Sequence, residues 1–370
     1  HFYLFFMPDF ARPAYCGQEG HIAVRQGFPA MVGCGARAAV AARASLMHIL
    51  GLMAGKWPHT LAIQPGGVTR APTPAERMRI LSSLRSFRRF LERDLFGAEL
   101  EEFVGLRSQE GRLGWSTGDV GLFLRAAASL DLAQMGPGAG RYLSFGAYPT
   151  SAGYGFARGM WQEGHLSDIP LQAIVEDISH AWMLGSAAHP AKGMTEPDED
   201  MRDPAYSWCK APRLAGLPME CGALARQVID GHPLARDLAA KGGGVLARVG
   251  ARLLETARLQ LLMETLAQGI DPAAKFMSQG NLPQQGEGAG LVEAARGALG
   301  HGLRIEGGRI ASYQIIAPTT WNFSPRDSGG TPGPLEAALV GARVSHGEDT
   351  PLEVQHIVRS FDPCMVCTVH

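Results

Sequence analysis

The sequence predicts a mainly α-helical protein with small antiparallel β ribbons, an α+β chain of 370 residues. Three observations carry that expectation. Residues Pro74 to Phe96 repeat apolar side chains at three- or four-residue steps. Two further long stretches read as helices, and the chain between them is rich in Gly and Pro with brief strand patterns.

The elements follow in order. Met31 to Leu52 is alanine-rich, apolar and free of proline, which predicts a buried helix ended by Gly55-Lys56-Trp57-Pro58. In Pro74 to Phe96, Ile80, Leu84, Phe87, Leu91 and Leu95 share one face, while Arg85, Arg88, Arg89, Glu92 and Arg93 take the other. That helix is amphipathic, and its arginines face solvent or another subunit. Leu143-Ser144-Phe145-Gly146 reads as a short strand. From about Gly244 to Gln268, Val245, Val249, Leu253, Leu261 and Leu262 form the apolar side of a third helix. Arg304 to Ile310 reads as a hairpin turning on Gly307-Gly308. Tyr313 to Asp327 begins as a strand and continues as a turn-rich loop with hydroxyls, an amide and an indole, the kind of segment that walls a pocket. No repeat or low-complexity linker marks a boundary, so residues 1–370 read as one large domain.

With 46% hydrophobic residues the chain can bury a large core. Lys+Arg (34) and Asp+Glu (35) nearly cancel, so the sequence carries no electrostatic footprint for nucleic acid or an anionic membrane. No apolar run of spanning length without charges appears, and the opening residues do not read as a signal peptide. Six cysteines in so long a chain make no disulfide framework, which fits a reduced compartment. The opening His1-Phe2-Tyr3-Leu4-Phe5-Phe6 reads like the middle of an apolar helix, an expectation that the sequence begins inside a longer protein.

The chain stops on Asp362-Pro363-Cys364-Met365-Val366-Cys367-Thr368-Val369-His370, which reads as a metal site. Asp-Pro favours a helix start, with Asp362 as cap and Pro363 at the first helical position. Cys364 and Cys367 would then share a face in the first turn, where the positive helix end favours thiolates for a soft metal. A single CxxC is more often half of a structural zinc site, a redox pair or chance. Haem attachment would need His in place of Thr368. A zinc site would need two more ligands, and Cys16, Cys34, Cys209 and Cys221 are scattered singly.

Other segments are individually ambiguous. In Glu293-Ala294-Ala295-Arg296-Gly297-Ala298-Leu299-Gly300-His301, small neighbours let Arg296 approach a buried anion, although an ordinary surface salt bridge is the commoner role. Tyr206 to Arg213 is an aromatic and basic loop whose default reading is packing with a surface arginine. His59, after Trp57-Pro58 and before Pro65-Gly66-Gly67-Val68, is by default a structural histidine.

Together these segments resemble the large subunit of nickel-iron hydrogenases. The tail looks like that family's C-terminal nickel motif, and the blocks Gly55 to His59 with Pro65 to Val68, Tyr206 to Arg213, Glu293 to His301 and Pro318 to Asp327 agree in the expected order. The fold implied is that of the nickel-iron large subunit. The family's N-terminal Arg-x-Cys-Gly-x-Cys motif, which by resemblance supplies two nickel thiolates, is absent here. The resemblance implies that Cys364 is a terminal nickel thiolate and Cys367 a bridge to an iron carrying CO and CN. His370 and the backbone carbonyl of Ile315 would hold Mg2+ nearby. Arg296 would sit over the open face of the metals, Asp362 would orient it, and Thr319 would hydrogen-bond a cyanide.

The implied reaction is reversible cleavage of H2 into two protons and two electrons, an oxidoreductase activity with hydrogen as donor. Arginine stays protonated, so the Cys364 thiolate is the preferred proton acceptor. Electrons would leave through iron-sulfur clusters on a separate small subunit, since this chain has no cysteine set for them. A maturation endopeptidase and nickel-insertion factors are implied if a tail is made. Ala295, Gly302, Met365-Val366 and Thr368-Val369 resemble the cytosolic uptake and sensor branch, in the cytoplasm or membrane-associated through partners. Two alternatives stand beside the catalytic reading: a hydrogen sensor of low turnover, and a non-catalytic relative in respiratory complex I, against which Cys364, Cys367 and His370 speak.

Overall fold

The computed structural model describes residues 1–150, 153–344 and 349–364. Two compact units compose it. The first comprises His1–Leu106, Glu110–Leu130 and Leu253–Leu282, and the second Arg107–Gln109, Asp131–Arg252 and Pro283–His370.

The first unit is helical. Its amphipathic helix runs Pro74–Phe90 and continues with wider turns over Leu91–Phe96. Thr73 and Glu76 start it reciprocally: Thr73 Oγ1 accepts from the Glu76 N–H at 3.2 Å, and Glu76 Oε2 accepts from the Thr73 N–H at 2.8 Å. Two donors that a helix start leaves unpaired are thereby satisfied. Gly97 ends the element at φ +69°, where a Cβ would lie 2.5 Å from the Gly118 nitrogen, so only glycine fits. Ile80, Leu81 and Leu84 pack with Ala267 and against Leu46, Ile49 and Leu52. A second apolar centre is aromatic: Phe2 and Phe6 both set ring edges against Phe123, at centroid distances of 5.7 and 5.8 Å. The opening residues Phe2–Phe6 are thus helical, as their composition predicts.

The helix expected over Met31 to Leu52 forms as Cys34–Ala54, but it is not buried, and Ala36 is its only buried residue. Val40 and Met53 are 39% and 45% exposed. Alanine explains the difference, because it promotes helix strongly while bringing little side chain to bury.

The second unit holds the ribbons. Tyr142–Thr150, Gly153–Gln162 and His165–Ser167 form one antiparallel sheet in sequence order, and Gln285–Ala294, Gly297–Glu306 and Arg309–Ile316 form another. Ile174–Asp177 pairs with Ala211–Leu214. The predicted Gly307-Gly308 turn joins Glu306 to Arg309, with both glycines at positive φ as a tight hairpin of this twist requires. Leu143, Phe145, Ile174, Leu214, Met219, Cys221, Ala298, Ile316 and Trp321 make one core under these ribbons. The third predicted helix is present as Val245–Gln268. No helix among the described residues is long and apolar enough to cross a membrane.

Candidate metal centre

The site assembles in the second unit from three of the segments singled out in the sequence. The helix Leu352–Ser360 delivers the tail. Its end is anchored by Arg248, which makes a two-pronged pair with Glu220 at 2.8 and 3.0 Å and lays its guanidinium 3.7 Å from the Phe361 ring centroid. Asp362 follows with φ +56°, and its N–H donates to the Arg359 carbonyl at 3.0 Å. It closes the helix behind it, and Pro363 and Cys364 are not helical. The expected cap at Asp362 and first-turn position at Pro363 are therefore corrected: a cap needs extended backbone, whereas Asp362 is left-handed.

Asp362 is 3% exposed. Its carboxylate pairs with Arg252 at 2.8 Å and with the Arg296 Nε at 3.4 Å. Arg296 Nε also donates to the Pro363 carbonyl at 3.3 Å. The Cys364 N–H donates to Thr319 Oγ1 at 3.1 Å. Four residues proposed from the sequence, Arg296, Thr319, Asp362 and Cys364, are thus brought together. Cys367 and His370 lie outside the described residues.

Arg296 is presented by a two-residue turn between strands ending at Ala294 and beginning at Gly297. The turn rests on Cys221-Gly222: a Cβ on Gly297 would lie 2.6 Å from Cys221 Sγ and 2.8 Å from the Gly222 nitrogen, and Gly297 has φ +137°. Arg226 clamps it from below, pairing with Glu293 at 2.8 Å and donating to the carbonyls of Ala294 and Ala295 at 3.0 Å each. Both charged side chains are almost wholly buried, at 3% and 1% exposure. Burial also pushes the Cys221 thiol well above its ordinary range, with the Glu293 carboxylate adding to the effect. Cys221 is accordingly a structural thiol whose Sγ–H donates to the Pro318 carbonyl at 3.3 Å.

Thr319 lies on a short helix, Pro318–Asn322, rather than in the expected loop. Pro318 starts that helix with its fixed φ. Asn322 ties it down by accepting from the Cys221 N–H at 3.0 Å and donating to the Cys221 carbonyl at 2.9 Å. Arg213, read from sequence as a surface arginine, is 3% exposed and organises the following loop. It pairs with Asp327 at 2.7 Å and donates to Ser324 Oγ and to the carbonyls of Pro325 and Thr331. Burial opposes ionisation of Asp327, but Arg213 and the backbone donors of Thr331 and Gly329 outweigh it and hold the carboxyl below its usual value.

Ile315 sits in the strand Arg309–Ile316, opposite His301, with a half-exposed side chain. Its neighbour Gln314 accepts from Thr195 at 2.8 Å and from Lys210 at 3.3 Å, and Lys210 lies 3.7 Å from Glu176. Burial raises the Glu176 carboxyl, with Lys210 acting against it. Among the described residues no three His, Cys, Asp or Glu side chains converge as a complete metal site. The donors present nevertheless fit a thiolate-bound metal. Cys364 offers a soft sulfur at a half-buried position, and Arg296 places a fixed positive charge near the chain that carries it. Sequence reasoning missed Arg226, Arg248, Arg252 and Glu220. Each is an ordinary charged residue in sequence, and only its tertiary ion pair, buried for Arg226, Arg248 and Glu220, distinguishes it.

A family model described as nickel-dependent hydrogenase matches residues 38–370. The chain is 28% identical over 347 residues to the periplasmic [NiFeSe] hydrogenase large subunit of Desulfomicrobium baculatum, covering 87% of this chain and 63% of that one. It is 34% identical to the hydrogenase-1 large chain of Citrobacter freundii, over 62% of this chain and 47% of that one. The chain therefore spans less than two thirds of the length of these relatives. The solved Ni-Fe-Se hydrogenase from D. vulgaris Hildenborough, in the as-isolated oxidized state, superposes with a TM-score of 0.82 at 24% identity, over 100% of this chain and 78% of that one. That likeness establishes a shared fold, mainly helical with small antiparallel sheets. The family model spans all three segments of the site, from the Arg296 turn through Thr319 to the cysteine tail, and on that match the chain belongs to the nickel-dependent hydrogenase family.

Proposed function

We propose that this chain is the catalytic large subunit of a nickel-iron hydrogenase that interconverts H2 with two protons and two electrons. The observation that supports this most is the meeting of Arg296, Thr319, Asp362 and Cys364 within hydrogen-bonding reach, from segments far apart in sequence. Cys364 and Cys367 would hold a nickel-iron centre bearing CO and CN, with two thiolates from the N-terminal motif that the resemblance assigns. That centre supplies two-electron redox chemistry and a Lewis-acidic face for H2.

The chain's own residues do the rest. Thr319 Oγ1 accepts the Cys364 N–H through a lone pair, which leaves its O–H able to donate to a cyanide nitrogen. Arg296 uses Nε on Pro363 and Asp362, so its terminal nitrogens remain for an anionic ligand cluster. Asp362 is itself held by Arg252, so it acts as a positioning residue for the Arg296 fork. A guanidinium holds its proton, so Cys364 Sγ would be the atom that takes up a proton. His370 and the Ile315 carbonyl would take Mg2+, oxygen and imidazole donors being suited to a harder ion. A small iron-sulfur subunit would accept the electrons. A maturation endopeptidase and nickel-insertion factors would act if a tail is made, and the likeness to the uptake and sensor branch supports a protein in the cytoplasm or membrane-associated through partners.

Metal analysis and infrared spectroscopy on the full-length product, matured in its own host, test this reading. We expect about one nickel per chain together with CO and CN stretches, and loss of nickel in Cys364→Ser. Zinc without those bands would overturn it.

A further inference from the structure

Outside the metal centre, the first unit brings a sulfur and an imidazole together. Cys16 is exposed, and its Sγ lies 3.5 Å from Nε2 of His21. The other ring nitrogen, Nδ1, lies 3.1 Å from the Phe10 carbonyl oxygen. A carbonyl can only accept, so this bond requires a proton on Nδ1. In the neutral ring Nε2 is then an acceptor, and it faces the thiol. A nucleophile, a base and a group orienting the base stand in line, the relation that activates cysteines and serines in covalent chemistry.

Local structure holds the relation in place. Cys16 N–H donates to the Pro13 carbonyl at 2.9 Å, and His21 N–H to the Gln18 carbonyl at 3.1 Å, so consecutive turns fix the two residues. His21 is 7% exposed, which immobilises the ring, whereas Cys16 faces solvent. Beside it, Gly17 has nothing within 4 Å of where a side chain would stand, so the approach to sulfur is open on that side. Cys34 is the other exposed free cysteine, and among the described residues no imidazole is hydrogen-bonded to it.

We propose that Cys16, with His21 as its base, is a thiol-modification site that takes up low-molecular-weight disulfides. The proton leaves Sγ for His21 Nε2 as sulfur attacks one sulfur of the incoming disulfide. A new S–S bond forms, the old one breaks, and the departing thiolate collects the proton from the imidazolium. One mixed disulfide and one free thiol result, with no net change in electrons. Phe10 O positions the ring and does not react.

The test uses the full-length protein in its native complex with oxidised glutathione as probe, following adduct formation at Cys16 and Cys34 by peptide mass spectrometry. We expect Cys16 to react about 100-fold faster than Cys34, the low end of what a positioned base contributes. In His21→Asn the amide nitrogen can still donate to Phe10 O but the base is gone. The Cys16 rate should fall to that of Cys34, with Cys34 unchanged as a check on the fold. Should His21→Asn fail to fold, the wild-type ratio decides alone. A Cys16 rate no greater than that of Cys34, or one unaffected by His21→Asn, would overturn the proposal.

Discussion

At the scale of single residues, the proposed centre depends on how tightly Arg296 is presented. Its turn touches Cys221-Gly222 so closely that a methyl group at Gly297 would meet sulfur at 2.6 Å and a backbone nitrogen at 2.8 Å. Gly297→Ala should cost about 2–3 kcal/mol, from overpacking and from a backbone conformation that L side chains rarely adopt. Chemical denaturation would measure it, and a loss below about 0.5 kcal/mol would show that the turn can shift. Arg296→Lys asks a different question. An ammonium cannot reproduce the planar fork, so turnover should fall about 100-fold with nickel retained; unchanged turnover would remove the arginine from the mechanism. In sequence, small neighbours drew notice to Arg296, but only the resemblance assigned it to a metal centre. Arg226 beneath it was not legible, since the pairing with Glu293 spans 67 positions and leaves no local pattern. Truncation of Arg226 to Met would strand a buried carboxylate and should cost about 3–5 kcal/mol, far more than a surface arginine would.

At the scale of elements, periodicity carried furthest. The helix from Pro74 was readable from its apolar repeat, and the local start signal of Thr73, Pro74 and Glu76 is the physical reason that it begins there. The helix at Cys34–Ala54 was readable as an element, but its burial was not, because burial depends on neighbours distant in sequence. The tail failed more instructively. Asp-Pro is a sound helix-start signal, yet Asp362 is already committed to ending the helix before it and to Arg252 and Arg296. Tertiary ion pairs override the local preference. The Glu76 cap makes a pH prediction. Its carboxyl is pushed down to about 2, first by the hydrogen bond from Arg70 and then by the Thr73 N–H. The folded state thus binds this proton more weakly than the unfolded chain. Its contribution is complete above the ordinary value of 4.5 and is lost as pH falls through about 2. Amide exchange at the start of the helix, corrected for intrinsic rates, should rise across that window and stay flat in Glu76→Gln. Thr73→Ala should weaken the same turn by about 1 kcal/mol at every pH.

At the scale of the molecule, balanced charge says nothing of where the charges sit, and the structure exposes some pairs while burying others. In the first unit, Arg70–Glu76 and Arg93–Asp94 are exposed pairs, and Arg88 joins Glu92, Glu101 and Glu264 at a half-exposed position. In the second, Arg213–Asp327, Arg226–Glu293 and Arg248–Glu220 are buried pairs beneath the ribbons that present the site. Exposed pairs contribute about 0–1 kcal/mol and are screened by salt, whereas buried pairs are screened far less. Raising NaCl from about 0.1 to 1 M shortens the screening length from about 10 to 3 Å. Amides of Leu100–Val104, whose Glu101 bonds Arg88 at 2.7 Å, should then lose protection. Those of the Ala294 to Gly297 turn should not, because Glu293 is 1% exposed and ions cannot reach it. Hydrogen exchange with peptide resolution distinguishes the two. Opening of the turn in salt would mean that solvent reaches the Arg226–Glu293 pair, and Arg296 would then lack the rigid support that an electrostatic role beside the metals requires.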